Sequence, residues 1–420
     1  MHKRDFIKQV SLLGLTASPL FLSLQKILGA VEGVSPAELA GDEGFWEKIR
    51  ATYRLKPDYI NLESGFYCIL PEDTLEHLIA HIRKVNYEGS YYMRNHRVDD
   101  KAKITAKLAE MAGCAARELI ITRNATESLD TVIGGFHWKA GDEAVLANQD
   151  YGAMRNMFKL VEQRYGVVQK IIDVPMHPKS DDEIVKAYAS AITSKTRLLM
   201  VSHIINITGH ILPVREICDM AHASGVKVLV DGAHAFGQFT FSIEDLDCDY
   251  YGTSLHKWLS VPLGAGFLYV KEKNIPKLWP LFGDTEKEPS DITRLNHTGT
   301  NPVHVDLTIA NAIDYHNSIG AERKEARLRF IQNYWTDRVR QIDNVILNTP
   351  EDRHRSCAIA NVLIKGMVPA DMAKALLETY KIWTVAIDGS GVQGCRISPN
   401  VFTSTEELDA LVDALKAMAA

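Results

Sequence analysis

The chain has no CxxC pair, no internal repeat, no low-complexity tract and no surplus of positive charge. Its six cysteines, Cys68, Cys114, Cys218, Cys248, Cys357 and Cys395, are scattered, so the spacing that a structural zinc site or a thioredoxin-type redox pair needs is missing. Packing in a core is the ordinary role of such residues. A net charge of −6 offers no basic footprint for nucleic acid. The N-terminal apolar stretch, Val10–Leu24, is short for a membrane span and holds a proline. What is present is ordinary soluble material: 420 residues, 46% apolar and 24% charged, enough for a large domain and a smaller one.

The N-terminus reads Met1-His2-Lys3-Arg4-Asp5-Phe6-Ile7-Lys8 before that apolar stretch. Lys-Arg followed by Phe and Ile-Lys resembles a twin-arginine export signal, with Lys3 where the first Arg belongs. Leu28-Gly29-Ala30 fits the small-x-small cleavage rule only loosely. Residues 1–30 are therefore expected to be an export signal that directs a periplasmic protein. The alternative is an amphipathic helix packed on the body of a cytoplasmic one.

Residues 31–60 lead into the main body. From about residue 100 to 270, short runs rich in Val, Ile and Leu alternate with helical segments. The runs are Leu119–Thr122, Glu143–Ala147, Val167–Val174, Arg197–Ile205, Val226–Val230 and Gly266–Val270. This alternation predicts a parallel sheet covered on both faces, within a large domain over 61–300. One helix near Asp181–Ile192 is expected to start with a capping box, Ser180 to Glu183; another spans Val214–Ala223. The texture changes after residue 300. Helices over Asp306–Ser318 and Glu322–Gln341 precede a smaller unit: strand Ala358–Ile364, helix Ala370–Tyr380, strands Ile382–Ile387 and Cys395–Ser398, and a last helix. Ser404 and Glu407 can cap that helix, and Leu408, Leu411, Val412 and Leu415 share one face. Residues 301–420 are read as a small α/β domain.

Three segments carry chemistry. Val228-Leu229-Val230-Asp231-Gly232-Ala233-His234 is an apolar strand ending in a carboxylate, where open α/β sheets bind ligands. Alone, such an Asp often only caps a turn. Lys257 comes 26 residues after Asp231, among Ser254, Leu255, His256 and Trp258. An isolated lysine is ordinarily solvated surface. A desolvated one has a lowered pKa and attacks carbonyls. Together the two residues suit pyridoxal phosphate, which needs a lysine for its aldehyde and an acid for its ring nitrogen. The third segment, Leu119 to Ser128, is a strand running into a helix; N–H groups near Ala125 and Thr126 would favour a phosphate. Asn124 and Thr126 could equally be capping residues.

These segments resemble the class V aminotransferase family of fold-type I pyridoxal-phosphate enzymes, from about Asn61 to the C-terminus. The likeness is nearest to the isopenicillin N epimerase-like branch, with cysteine desulfurases more distant. It is carried by Thr122–Ser128, Val201–Asn206, Val230–His234, Ser254–Leu259, His297-Thr298-Gly299-Thr300 and Arg396-Ile397-Ser398-Pro399, in this order. The resemblance implies a large domain with a mostly parallel sheet plus a smaller C-terminal α/β domain, and it implies roles. Lys257 would carry the cofactor as a Schiff base and move the proton at the substrate's Cα. Asp231 would pair with the pyridinium nitrogen. His234 would lie near the phenolic oxygen, with Asn206 on the same side. Tyr151 would stack on the ring, where relatives often have His. Ala125, Thr126, Ser254 and His256 would hold the phosphate. Gly299 and Thr300 would reach the neighbouring subunit's phosphate in a homodimer. Arg396 would bind the substrate carboxylate.

The resemblance leaves the reaction open between transamination and epimerisation, with β-elimination and a non-catalytic cofactor-binding module as alternatives. No helix-turn-helix segment is attached, which argues against a DNA-binding version of that module. The usual desulfurase route needs a loop Cys shortly before the carboxylate-binding Arg. None lies in Tyr380 to Gly394, and Cys395 directly precedes Arg396, too close for that loop. Two further segments are candidates to face an amino-acid substrate. One is Ile60–Tyr67. The other is Tyr91–Asn95, where Arg94 either meets a second acid group or is solvated surface.

Overall fold

The computed structural model describes residues 19–420, so the Lys3-Arg4 signal lies outside the described residues. A short strand β1 (Ile60–Asn61) precedes seven strands that form the central sheet: β2 (Leu119–Thr122), β3 (Glu143–Ala147), β4 (Val168–Ile172), β5 (Thr196–Ser202), β6 (Lys227–Asp231), β7 (Tyr250–Ser254) and β8 (Gly266–Val270). Their order is β2-β8-β7-β6-β5-β3-β4. All neighbours are parallel except β8, which runs antiparallel to both β2 and β7. The mostly parallel sheet is thus as expected. The exception has a local cause: the Pro262–Gly264 turn is too short for a crossover helix, so β8 returns beside β7.

Alternation along the strands explains their near-continuous apolar sequences. Ile121, Val145, Val201, Val230 and Tyr251 enter one core, while Ile120, Leu146, Met200, Leu229 and Tyr250 enter another on the opposite face. Both faces are covered, so neither set can be polar.

The C-terminal unit has an antiparallel sheet of β9 (Val345–Leu347), β10 (Ala360–Ile364), β12 (Val385–Gly389) and β13 (Val392–Ile397), in the order β12-β13-β10-β9. The single strand expected over Ile382–Ile387 is split. Its first two residues form β11 (Ile382–Trp383), which pairs in parallel with β1 instead. The last helix, Thr405–Ala419, has the expected reciprocal capping box between Ser404 and Glu407. The box expected at Ser180 is absent: Ser180 makes no side-chain cap, and Glu183 accepts from the Lys179 N–H at 2.9 Å.

The third core joins both ends of the chain. Leu24, Leu28, Phe45, Trp46 and Leu62 pack with Trp335, Ile397, Leu408 and Leu411. The helix Pro19–Gly29 therefore contributes Leu24 and Leu28 to this core, and cleavage after Ala30 would remove them. The helix Val303–Ile319 belongs to two cores: Val303 to Ile313 pack with the central sheet, and Tyr315 and Ile319 with the C-terminal unit. Among the described residues no helix is long and apolar enough to cross a membrane.

Arg327 fastens the N-terminal helices to this core. Its guanidinium is fully buried and donates to Ala40 O at 3.0 Å, Thr403 O at 2.9 Å and both oxygens of Glu43 at 2.5 and 3.2 Å. Arg327→Met strands those acceptors. It is expected to cost roughly 2–3 kcal/mol in urea unfolding, because hydrogen bonds to charged groups are worth about that. A loss below about 0.5 kcal/mol, the scale of an ordinary surface substitution, would contradict the fastening role.

Candidate active site

The sheet directs six strand ends to one edge. The parallel strands β3, β4, β5, β6 and β7 finish there, and two antiparallel steps bring β2 to the same direction. Strand order reverses beside β3, which has β4 on one side and β5 on the other, so a crevice opens beyond the carboxyl ends. That edge carries a cavity of about 230 Å³. Its lining includes Asn124, Ala125 and Thr126 after β2, Tyr151 after β3, Ser202, Ile204 and Asn206 at the end of β5, Asp231, Ala233 and His234 from β6, and Ser254, His256 and Lys257 from β7. Gly65, Phe66 and Arg396 close it from the other unit.

Every residue assigned to the cofactor or to the substrate's α-carboxylate lies here except Gly299 and Thr300, which are exposed and away from the cavity. Arg94 is exposed and Tyr92 is buried in a core, so the Tyr91–Asn95 segment does not meet this cavity. Ser202, Ile204 and Ala233 were given no role from the sequence, and Phe66 entered only as part of the Ile60–Tyr67 segment. Glu63 was included only as part of the Ile60–Tyr67 segment, although it contacts Arg396 directly.

Lys257 is buried deeply enough that its amine is pushed down to about 8. Burial is the main cause; Asp231 opposes it and Arg396 adds to it. Its Nζ lies 2.8 Å from His234 Nε2. On the other side of that ring, Trp258 Nε1–H points at Nδ1 from 3.5 Å. The neutral tautomer that satisfies both contacts keeps its hydrogen on Nε2, facing a neutral Lys257 amine. Burial holds the His234 pKa well below the ordinary range, and Lys257 lowers it further. The turn after Lys257 is tight: Ser260 N–H donates to Lys257 O at 3.0 Å, and Ser260 sits at φ +56°, in the left-handed region.

Asp231 ends β6 with its carboxylate accepting the Ala233 N–H at 3.0 Å. Burial raises its pKa, against the pull of that bond and of Lys257. Between them Gly232 is fixed by space, since a Cβ there would lie 2.0 Å from the Tyr251 ring. A second carboxylate stands behind the first. Asp150 accepts Ser202 Oγ at 2.8 Å and Ala147 N–H at 2.7 Å, and burial lifts it to about 7.

At the helix Ala125–Gly135, Asn124 caps the Glu127 N–H at 2.9 Å. The Ala125 N–H does not point freely into the cavity as expected. It donates to Ser254 Oγ at 2.9 Å, because β7 ends directly against the helix start. Ala125 therefore places a hydroxyl there. Close by, His256 Nδ1 is buried with no hydrogen-bond partner, and burial lowers its pKa to about 4. An unpartnered buried nitrogen beside a serine, a threonine and a helix N-terminus fits a phosphate. With an amine, an acid and a half-exposed Tyr151 ring around one cavity, the residues fit pyridoxal phosphate.

Comparisons with known proteins agree. The family model "Aminotransferase class-V" matches residues 72–411, and the chain belongs to that family, whose cofactor is pyridoxal phosphate. Isopenicillin N epimerase of Streptomyces clavuligerus is 28% identical over 390 residues, covering 89% of this chain and 98% of that protein. A probable cysteine desulfurase of Synechocystis is 27% identical over 322 residues, covering 72% of this chain and 75% of that one. The apo structure of a cysteine desulfurase from Thermococcus onnurineus superposes with a TM-score of 0.79 at 20% identity, over 89% of this chain and 98% of that one, and shares the fold.

The buried amine makes a testable statement about pH. With its pKa lowered to about 8, Lys257 is mostly protonated below that value and a free nucleophile above it. Capture of pyridoxal phosphate by the apoprotein is therefore expected to accelerate as pH rises toward 8 and to level off above it, in stopped-flow absorbance. A rate still climbing tenfold per unit near pH 10 would show an ordinary solvated lysine.

Proposed function

We propose that this protein moves the proton at the Cα of an amino acid, in epimerisation or transamination, with Lys257 as the proton carrier. The observation that carries this reading is the Lys257–His234 contact, 2.8 Å long, in one cavity with Asp231 and the unpartnered His256. Pyridoxal phosphate, when bound, supplies a ring that accepts the electrons left at Cα. Asp231 would hold a proton on the ring nitrogen. Ser254, His256 and Thr126 would hold the phosphate, and Tyr151 would cover one face of the ring. His234 would address the phenolic oxygen, with Asn206 beside it, and Arg396 would take the substrate carboxylate. Lys257, half neutral at about pH 8, can accept the Cα proton and return it.

The cysteines support this reading over persulfide chemistry. None of the six lines the cavity. Cys395 is buried against Pro369 O, and burial pushes its thiol up to about 12, far from a reactive thiolate. Cys68 is also fully buried at about 12. The full-length likeness to an epimerase supports the Cα reading as well.

Two further proposals belong with it. The exposed Gly299-Thr300 turn is proposed to reach the phosphate of a second copy, so the working unit is a homodimer. Export is proposed from the Lys3-Arg4 segment; recovery of the native protein only from the cytoplasm would contradict it.

The reaction is tested by screening amino acids for a change in cofactor absorbance in D2O. Substrates should gain deuterium at Cα and yield either the D-isomer or a keto acid. Lys257→Ala should lower turnover by at least about a thousandfold, within the range a positioned acid–base group supplies. Release of sulfide or of free ammonia from the substrate would move the assignment to elimination, and wild-type turnover by the alanine variant would overturn it.

A further inference from the structure

The residue assigned to the substrate carboxylate already holds a carboxylate of its own chain. Arg396 Nη2 donates to Glu63 Oε1 at 2.5 Å and Nε to Oε2 at 3.3 Å, so Glu63 takes the side-on fork of the guanidinium. Nη1 donates to Asn206 O at 3.3 Å. A guanidinium has five N–H bonds, and three are thereby used, which leaves two for a ligand.

Glu63 is not placed to swing away. Its carboxylate also accepts the Phe66 N–H at 2.8 Å and the Ser398 hydroxyl at 3.2 Å. The strap around it is pinned on both sides: Ser64 N–H to Ser398 O at 3.0 Å, Ser398 N–H to Leu62 O at 2.8 Å, and Cys68 N–H to His256 O at 3.1 Å. Gly65 lies flat against the guanidinium, where a Cβ would sit 2.8 Å from Arg396 Cζ. Both partners of the pair are at least nine-tenths buried. An incoming carboxylate therefore meets a cation that is already neutralised, with a like charge fixed beside it.

The geometry points to Glu63 as a specificity-determining residue that strips Arg396 of its preference for charge, so that the site takes α-amino amides nearly as readily as α-amino acids. This rests on the assignment of Arg396 to the substrate's carboxyl end. Two free N–H donors serve a neutral carbonyl oxygen as well as a charged one. What a carboxylate ordinarily gains over an amide at an arginine is charge attraction, and Glu63 removes most of it. Glu63 acts through Arg396 and is not itself a catalytic group.

The test uses the holoenzyme with propionate and propionamide, which match in shape, carry no amine and differ in charge. Binding is read by calorimetry and by the cofactor absorbance. Wild type should bind the two within about tenfold of each other. Glu63→Gln keeps the side-chain shape and should tighten propionate by about tenfold or more while leaving propionamide within about threefold, and the gain should vanish when Arg396→Gln is added. A Glu63→Gln variant that binds propionate no better, or loses both ligands alike, would show that Glu63 only orients Arg396 and would overturn the proposal. Propionate binding that Arg396→Gln leaves intact would remove Arg396 from the carboxyl site, and this proposal with it. Should Glu63→Gln fail to retain cofactor, wild type alone decides: a preference for propionate above about a hundredfold is incompatible with a neutralised Arg396.

Discussion

Lys257 keeps its amine under the surface, 2.8 Å from His234 Nε2, and burial there weakens its hold on a proton, bringing its pKa down to about 8. The surroundings follow from that constraint. A lysine in this position needs a carboxylate near enough to moderate the shift, and β6 ends on Asp231. It needs a neutral partner for its nitrogen, and burial keeps His234 uncharged. It needs a backbone that turns sharply away, and Ser260 adopts a left-handed conformation three residues on.

Desolvation is not by itself a functional mark. Lys324 is more deeply buried than Lys257, its pKa also falls to about 8, and its Nζ donates to the Trp258 carbonyl. It lies outside the cavity and supports the loop that carries Lys257. Position at the strand ends, beside an acid and a phosphate cradle, separates the reactive lysine from the supporting one. Trp258 links the two, since its carbonyl receives Lys324 and its indole meets His234.

Much of this was legible in the sequence because it is local. Asp231 closes an apolar strand, and Lys257 follows the next one, so each could be read from its own neighbours. Most of the runs of Val, Ile and Leu marked the sheet because both its faces are covered there and those strands carry no polar side; the edge strand β4 is the exception, with Val168 and Ile171 exposed. What escaped depends on pairings across the chain. Glu63 and Arg396 are 333 residues apart, and nothing near either one announces an ion pair. The Ala125 N–H looked free because its acceptor, Ser254 Oγ, comes from a strand 129 residues later. The missing cap at Ser180 is the opposite case: the pattern is present, but Glu183 finds the Lys179 N–H first.

The identity of the cofactor-bearing lysine is the claim on which the rest turns, and the two buried lysines make it sharply testable. Borohydride reduction of the purified holoenzyme, followed by digestion and mass spectrometry, fixes the cofactor to whichever amine holds it. The expected result is the added phosphopyridoxyl mass on the peptide containing Lys257 and none on the peptide containing Lys324. Label on Lys324, or none on either peptide from protein that is visibly yellow, would contradict it.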